Sequence, residues 1–159
     1  MKKIIVIAAA LLLSACGFHL KGSQGLSGNL PYQHWSVSGG ALQAALETAL
    51  RRADGMPVAV NQAQADIAVT HVDNRREVYT ITRAADINEY LLTLHVRAQA
   101  SRHGKPLGEP FEVYAHRTMN YTDSEVLGKE EEGQTIWSEM YADAAEQIVR
   151  RLTFMKAAD

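Results

Sequence analysis

The stretch "YLLTLHVRAQA", Tyr90 to Ala100, alternates in chemical character with a period of two. Tyr90, Leu92, Leu94, Val96, Ala98 and Ala100 fall on one side of an extended chain, and Thr93, His95, Arg97, Gln99 and Ser101 on the other. A helix would scatter both sets around its circumference, so this is a strand with one face in a core and one facing solvent. The segment from Phe111 to Tyr121 pairs with it through the turn "HGKPLG", which sets His103 opposite Gly108. That register matches Ala100 with Phe111, Ala98 with Val113, Val96 with Ala115, Leu92 with Met119 and Tyr90 with Tyr121. Arg117 then faces Leu94, which either a β-bulge or a functional departure explains; the bulge is preferred.

Two amphipathic segments supply a covering layer. After a short strand from Tyr32 to Val37, Ser38 offers an N-cap to a helix whose apolar positions are Leu42, Ala45, Leu46, Ala49, Leu50 and Ala53. Arg51 and Arg52 complement the dipole of its last turn, and Gly55 with Pro57 stops it. Residues Ile67 to Thr82 form a strand or strand pair whose alternation loses phase, which predicts a bend near Asp73 and Asn74. The second helix spans Thr135 to Met155 on the stripe Trp137, Met140, Tyr141, Ala144, Ile148, Leu152 and Met155, unless the capping box at Thr122 to Glu125 starts it earlier. Trp35 and Trp137 are assigned to the core. With 159 residues, 47% of them hydrophobic, the chain suffices for one domain. The element order β-α-β-β-β-α predicts an α+β fold, a two-layer α/β sandwich with two helices on one face of a mostly antiparallel four-stranded sheet.

The N-terminus stands apart from this domain. Lys2 and Lys3 form a basic n-region, Ile4 to Leu13 an apolar run, and Leu13-Ser14-Ala15-Cys16 matches the bacterial lipobox. Ten apolar residues fall short of the roughly 20 a spanning helix needs, so residues 1–15 read as a cleaved lipoprotein signal peptide. Cys16 reads as the lipidated first residue of the mature chain. Gly17 follows it where an aspartate would favour inner-membrane retention, so the expected place is the periplasmic face of the outer membrane. Residues 16–31, spotted with glycines, read as the lipidated end and a flexible tether reaching at most about 50 Å. The sandwich domain is then 32–159.

Acylation of Cys16 leaves no other thiol for disulfides or nucleophilic chemistry. Loss of Lys2 and Lys3 leaves 14 basic residues against 18 acidic ones, a formal net charge of −4, which argues against nucleic acid as a partner. In the register above His95 faces His116, and His71 is a possible third ligand, but a pair is too few for zinc and no metal site is expected. No nucleophile elbow, metalloprotease motif or phosphate-cradling loop appears, so neither catalytic residues nor a cofactor are expected.

The element order also has a geometric consequence. If the first strand, Tyr32 to Val37, runs parallel to the second, the "RAAD" turn and the segment before the last helix return to the same end of the sheet. Two loops would then present Arg83 and Lys129 there, with the N-termini of both helices, as a place for an anion.

Three stretches, "CGFHLKG" after the lipobox, "NEYLLTLHVRAQA" in the central strand and "SEMYADAAEQIVRRL" in the final helix, together resemble the LptE family of lipopolysaccharide-assembly lipoproteins of Gram-negative outer membranes. The resemblance implies a lipoprotein that plugs the large β-barrel LptD, helps it assemble, and contacts lipopolysaccharide through basic residues that match Arg83 and Lys129. The "RAADINEY" turn lacks the glycine of the family pattern. The alternative is a periplasmic lipoprotein that only braces or chaperones an outer-membrane protein, without glycolipid contact.

Overall fold

The computed structural model describes residues 30–83, 86–121 and 126–157. Cys16, the signal segment, the proposed tether as far as residue 29 and the capping box at 122–125 lie outside them. The elements in chain order are β1 (His34–Ser38), α1 (Gln43–Arg52, entered through a 3-10 turn at Gly40–Leu42), β2 (Met56–Pro57), β3 (Ala65–Ile81), β4 (Ile87–Arg102), β5 (Lys105–Pro106), β6 (Phe111–Asn120) and α2 (Val126–Leu152).

The sheet has six strands in the order β2-β1-β3-β4-β5, with β6 also paired to β4. Its four long strands are those expected, but the four-stranded, mostly antiparallel description needs correction. Met56–Pro57 adds a second parallel edge beside β1, and Lys105–Pro106 folds back on the end of β4, so the sheet is mixed. β1 runs parallel to β3, Val37 beside Ile67, and the β3–β4 and β4–β6 pairs are antiparallel.

Alternation puts Leu92, Leu94, Val96, Ala98 and Ala100 on the covered face, each at most 1% exposed. α1 and α2 pack on that face with Leu46 and Leu50 from one and Met140, Ala144, Ile148 and Leu152 from the other. Each fully buried leucine or isoleucine contributes about 1.5–3 kcal/mol, so this interface is the principal source of stability. Trp35 lies in the core and Trp137 packs half-buried against it.

The β4–β6 register differs from the expected one by two residues: Ala98 faces Phe111, Val96 faces Val113, Leu94 faces Ala115 and Tyr90 faces Met119. The cause is the hairpin. His103 and Gly104 both take positive φ, 50° and 76°, the signature of a two-residue type I′ turn, so Arg102 pairs with Lys105. Gly108, at φ 76°, then begins an excursion that shifts the pairing before Phe111. No bulge interrupts β4–β6. Arg117 stays on the helix-covered side opposite Leu92, and its Nη2 donates to Asp143 Oδ2 of α2 at 2.6 Å, so it borders the helix and is not turned outward.

In β3 the phase break sits at Thr70, where the register steps from Val69–Ala98 to His71–Arg97, and not at Asp73–Asn74. Ser38 ends β1 and does not cap α1; instead the Gly39 N–H donates to Gln43 Oε1 at 2.7 Å. The helix closes with Asp54 at φ 61° and the Gly55 N–H on the Leu50 carbonyl at 2.8 Å, a Schellman ending. A Cβ on Gly55 would stand 3.1 Å from that carbonyl oxygen, which is why glycine follows the cap. α2 begins at Val126, nine residues before Thr135, and runs through Gly128 and Gly133. Among the described residues no helix is long and apolar enough to cross a membrane.

Candidate functional site

Length mismatch shapes the end of the sheet that carries the candidate residues. β3 has 17 residues, about 55 Å of strand, whereas α1 has 10, about 15 Å of helix. α1 therefore covers only the lower part of β3, and the upper hairpin is solvated on both sides. Three large apolar side chains stay exposed there: Val78 at 50%, Tyr79 at 58% and Ile81 at 61%.

Arg83 sits in the turn that follows and is exposed. The turn is closed by the Thr82 N–H donating to the Asp86 carbonyl at 2.8 Å and the Asp86 N–H donating to Thr82 Oγ1 at 3.2 Å. Arg83 makes no ion pair with any described residue. β3 ends with Ile81 paired to Ile87, and β6 ends with Asn120 paired to Glu89, so both finish against the start of β4. Arg83 and the first turns of α2 thus occupy one end of the sheet.

Lys129 is there, but as the fourth residue of α2 and not on a loop. Its Nζ is 2.7 Å from Glu132 Oε2 and its side chain is only 16% exposed. The expected grouping of both helix N-termini does not occur. The top of β1, Ser38, pairs with Ala68, thirteen strand residues before Ile81, which leaves the start of α1 roughly 40 Å from the hairpin tip.

A second constellation lies on the open face of the sheet. The shift in register sets His95 opposite Tyr114 and Thr93 opposite His116, so the expected His95–His116 pair is not formed. The His95 and Tyr114 rings stack at 4.2 Å and 7°, and His71 meets His95 edge-on at 5.6 Å. Among the described residues no three His, Cys, Asp or Glu side chains are grouped to hold a metal ion. His95 Nε2 is buried without a hydrogen-bond partner, 4.0 Å from Glu112 Oε2.

Glu112 accepts from Arg97 Nε at 3.0 Å and Nη2 at 2.6 Å, and from the Tyr114 hydroxyl at 3.1 Å. The Arg97 guanidinium, then the Tyr114 hydroxyl, hold the Glu112 carboxyl below its ordinary range, and the same hydrogen bond raises the Tyr114 hydroxyl above its own. A carboxyl lowered on folding contributes stability that is fully present above its unfolded pKa and is lost as pH falls through the folded value. Arg97→Ala is therefore expected to move the Glu112 titration upward toward the ordinary range, read by carboxyl-carbon NMR; an unmoved midpoint would show that Arg97 is not the cause.

Sequence reasoning placed His95 and Arg97 on the solvent face, but its register set Tyr114 opposite Arg97, where the structure has Glu112, and not opposite His95. The missing signal was the type I′ turn, since "HG" followed by a lysine suits one as well as the longer loop.

Residues 31–152 match the family model for LptE, described as lipopolysaccharide-assembly. The chain is 28% identical over 156 residues to the LPS-assembly lipoprotein LptE of Yersinia enterocolitica, covering 95% of this chain and 74% of that protein. It is 29% identical over 153 residues to the protein of the same name from Pectobacterium atrosepticum, covering 93% and 83%. Among solved structures, lipoprotein B of Nitrosomonas europaea matches with a TM-score of 0.69 at 22% identity, over 86% of this chain and 90% of that one. A minor lipoprotein of Acinetobacter baumannii matches with a TM-score of 0.67 at 23% identity, over 82% and 98%. At those identities the structures speak for the fold, while the family match over most of the described sandwich speaks for descent: this chain belongs to the LptE family.

Proposed function

We propose that the protein is a non-enzymatic, lipid-anchored component of lipopolysaccharide assembly at the outer membrane, facing the periplasm and the lumen of a barrel. In this reading it plugs the LptD β-barrel as a one-to-one heterodimer, assists its assembly, and touches lipopolysaccharide at the hairpin tip. The observation that supports the last step is the composition of that tip: Val78, Tyr79 and Ile81 stand exposed a few residues from the exposed Arg83, at the end where α2 brings Lys129. An anionic amphiphile needs apolar surface and cations together, and lipid A phosphates take charge-assisted hydrogen bonds from guanidinium or ammonium groups. A rigid sandwich whose open sheet face carries His71, Asp73, Arg75, Arg97 and Glu112 also suits the polar lumen of a wide barrel.

One observation favours the second reading, a brace without glycolipid contact: Lys129 is already engaged by Glu132. Arg83→Glu combined with Lys129→Glu separates the two. Each lost charge-assisted contact is worth about 1.5–3 kcal/mol, so the double variant is expected to bind lipopolysaccharide at least about tenfold more weakly. It should still co-purify one-to-one with the barrel in mild detergent. Unchanged glycolipid affinity would reject these residues as the contact and leave the brace; loss of the barrel would mean that the tip serves the partner instead.

A further inference from the structure

We infer that the free edge of β3 between Val72 and Val78 takes up an added strand, an extended segment of the barrel chain that reaches into the lumen. The column beside this edge is vacant among the described residues, because β1 stops at Ser38, opposite Ala68. Which backbone groups face the vacancy follows from parity. The Tyr121 N–H donates to the Asn88 carbonyl and the Leu107 N–H to the Ala100 carbonyl, so even-numbered residues of β4 bond away from β3 and odd-numbered ones toward it. The partners of those odd residues in β3 are His71, Asp73, Arg75 and Glu77. The N–H and C=O groups of Val72, Asn74, Arg76 and Val78 therefore point away from β4, toward the vacant column.

The opposite edge of the sheet is blocked. On β6 the same parity turns the Glu112 and His116 carbonyls outward, and each accepts from a guanidinium, Arg151 Nη1 at 2.8 Å and Arg117 Nη1 at 3.0 Å. Arginines so placed keep a foreign strand off an edge. Residues 70–81 of β3 contain no proline, glycine or lysine, and no described side chain bonds to an outward backbone group there. Register shifts beside Thr70 and Tyr79 bracket the stretch, and between them its pairing with β4 is regular.

The geometry selects the occupant. A second copy fits badly: two β3 strands paired antiparallel about Asn74 or Arg75 would carry Thr82 of each to the level of Asp66 or Ala68, where β1 already stands. Centres high enough to clear β1 set Arg76 against Arg76 or Glu77 against Glu77, and like charges directly opposite are destabilising. A short foreign segment meets neither obstacle. On the helix side its side chains would lie beside Val72, Asn74 and Arg76. Arg76 stands over the Tyr90 ring at 5.0 Å and makes no ion pair with any described residue. An apolar side chain opposite Val72 and a carboxylate opposite Arg76 complete that row.

This inference rests on the reading that the protein plugs a barrel, and it names a contact that holds the plug. The test follows hydrogen exchange residue by residue in the purified lipoprotein–barrel complex and in the free full chain, in one detergent. The amides of Val72, Asn74, Arg76 and Val78 are expected to exchange at least about tenfold more slowly in the complex, while those of His71, Asp73, Arg75 and Glu77, already bonded to β4, change little. Tagged variants are then co-expressed with untagged wild type in competition for the barrel. Asn74→Pro removes an outward N–H without touching the β4 ladder, where an edge strand accepts proline, and is expected to occupy about tenfold fewer barrels. Asn74→Ala, which also loses the bond to Tyr141 but keeps the N–H, should compete as wild type does. Arg76→Glu should lose about threefold. Unprotected amides in a complex that retains the barrel, or full occupancy by Asn74→Pro, would overturn the added strand and leave the plug. The exchange measurement needs no variant, so it decides even if Asn74→Pro does not fold. Undiminished competition by Arg76→Glu would overturn the carboxylate partner, and protection of the four amides in the free chain that grows with concentration would put a second copy in place of the barrel segment. A wild-type chain that captures no barrel would overturn the plug reading itself.

Discussion

Cys16→Ser is expected to abolish acylation and to leave in the outer-membrane fraction only protein already bound to the barrel. The lipobox is the basis: the only thiol of the chain stands directly behind an apolar run of ten residues and a pair of small ones. Each buried methylene contributes about 0.8 kcal/mol, and even one acyl chain gives only reversible binding, so a protein with none has no lipid term to hold it. The apolar leader cannot substitute, being about half the length of a membrane span. Metabolic labelling with palmitate supplies the readout. The wild-type chain should take up label and the serine variant none, and intact-mass measurement should find the wild-type chain beginning at residue 16. An unlabelled wild type, or equal label in the variant, would remove the anchor from the account.

Trp35→Ala is expected to have the largest effect on stability of any single truncation in the sheet. Trp35 is fully buried in β1, beside Pro57 on one neighbour and Ala65 on the other. Its Nε1–H donates to the Tyr32 carbonyl at 2.8 Å, and the two rings meet edge-on at 5.9 Å. With small partners across both strand pairs, the cavity has few neighbours able to collapse into it. Removing a buried tryptophan costs about 3–5 kcal/mol, a large part of the 5–15 kcal/mol a domain typically has. A melting temperature lower by roughly 10–15 °C follows, measurable by circular dichroism. Trp137→Ala is the control. That ring is half-buried, stacks on Tyr141 at 6.5 Å, and should cost less than half as much. Equal losses for the two would contradict the placement of Trp35 at the centre of the core.

The family resemblance and the candidate site were readable to different depths. Two of the three stretches that carry the resemblance have the strongest periodicity, those in the β4 strand and the C-terminal part of α2, and the family model spans both. Arg83 could be placed from chain order alone, because parallel β1 and β3 force the following turn to the far end. The loss of Lys129 to an ion pair follows from the earlier of the two starts that the sequence left open for α2, nine residues before its stripe. Gly128 and Gly133 argue locally against a helix there; the segment lies over the sheet, with Met119 Sδ 3.6 Å from where a Cβ on Gly133 would stand.

What the amino-acid order determined by itself is which face each residue takes. Side-chain direction in a strand follows parity, a property of immediate neighbours, so Leu92, Leu94, Val96 and Ala98 had to be buried together and His95 and Arg97 had to face outward. What only the tertiary structure decided is register. A slip of two residues between β4 and β6 keeps every apolar side chain on the covered side, so the hydrophobic pattern has the same energy in both alignments to a first approximation. The choice falls to the positive-φ turn at His103 and Gly104 and to the reach of Arg117 across to Asp143 on α2. That choice, in turn, laid Tyr114 against His95 and set His116 opposite Thr93.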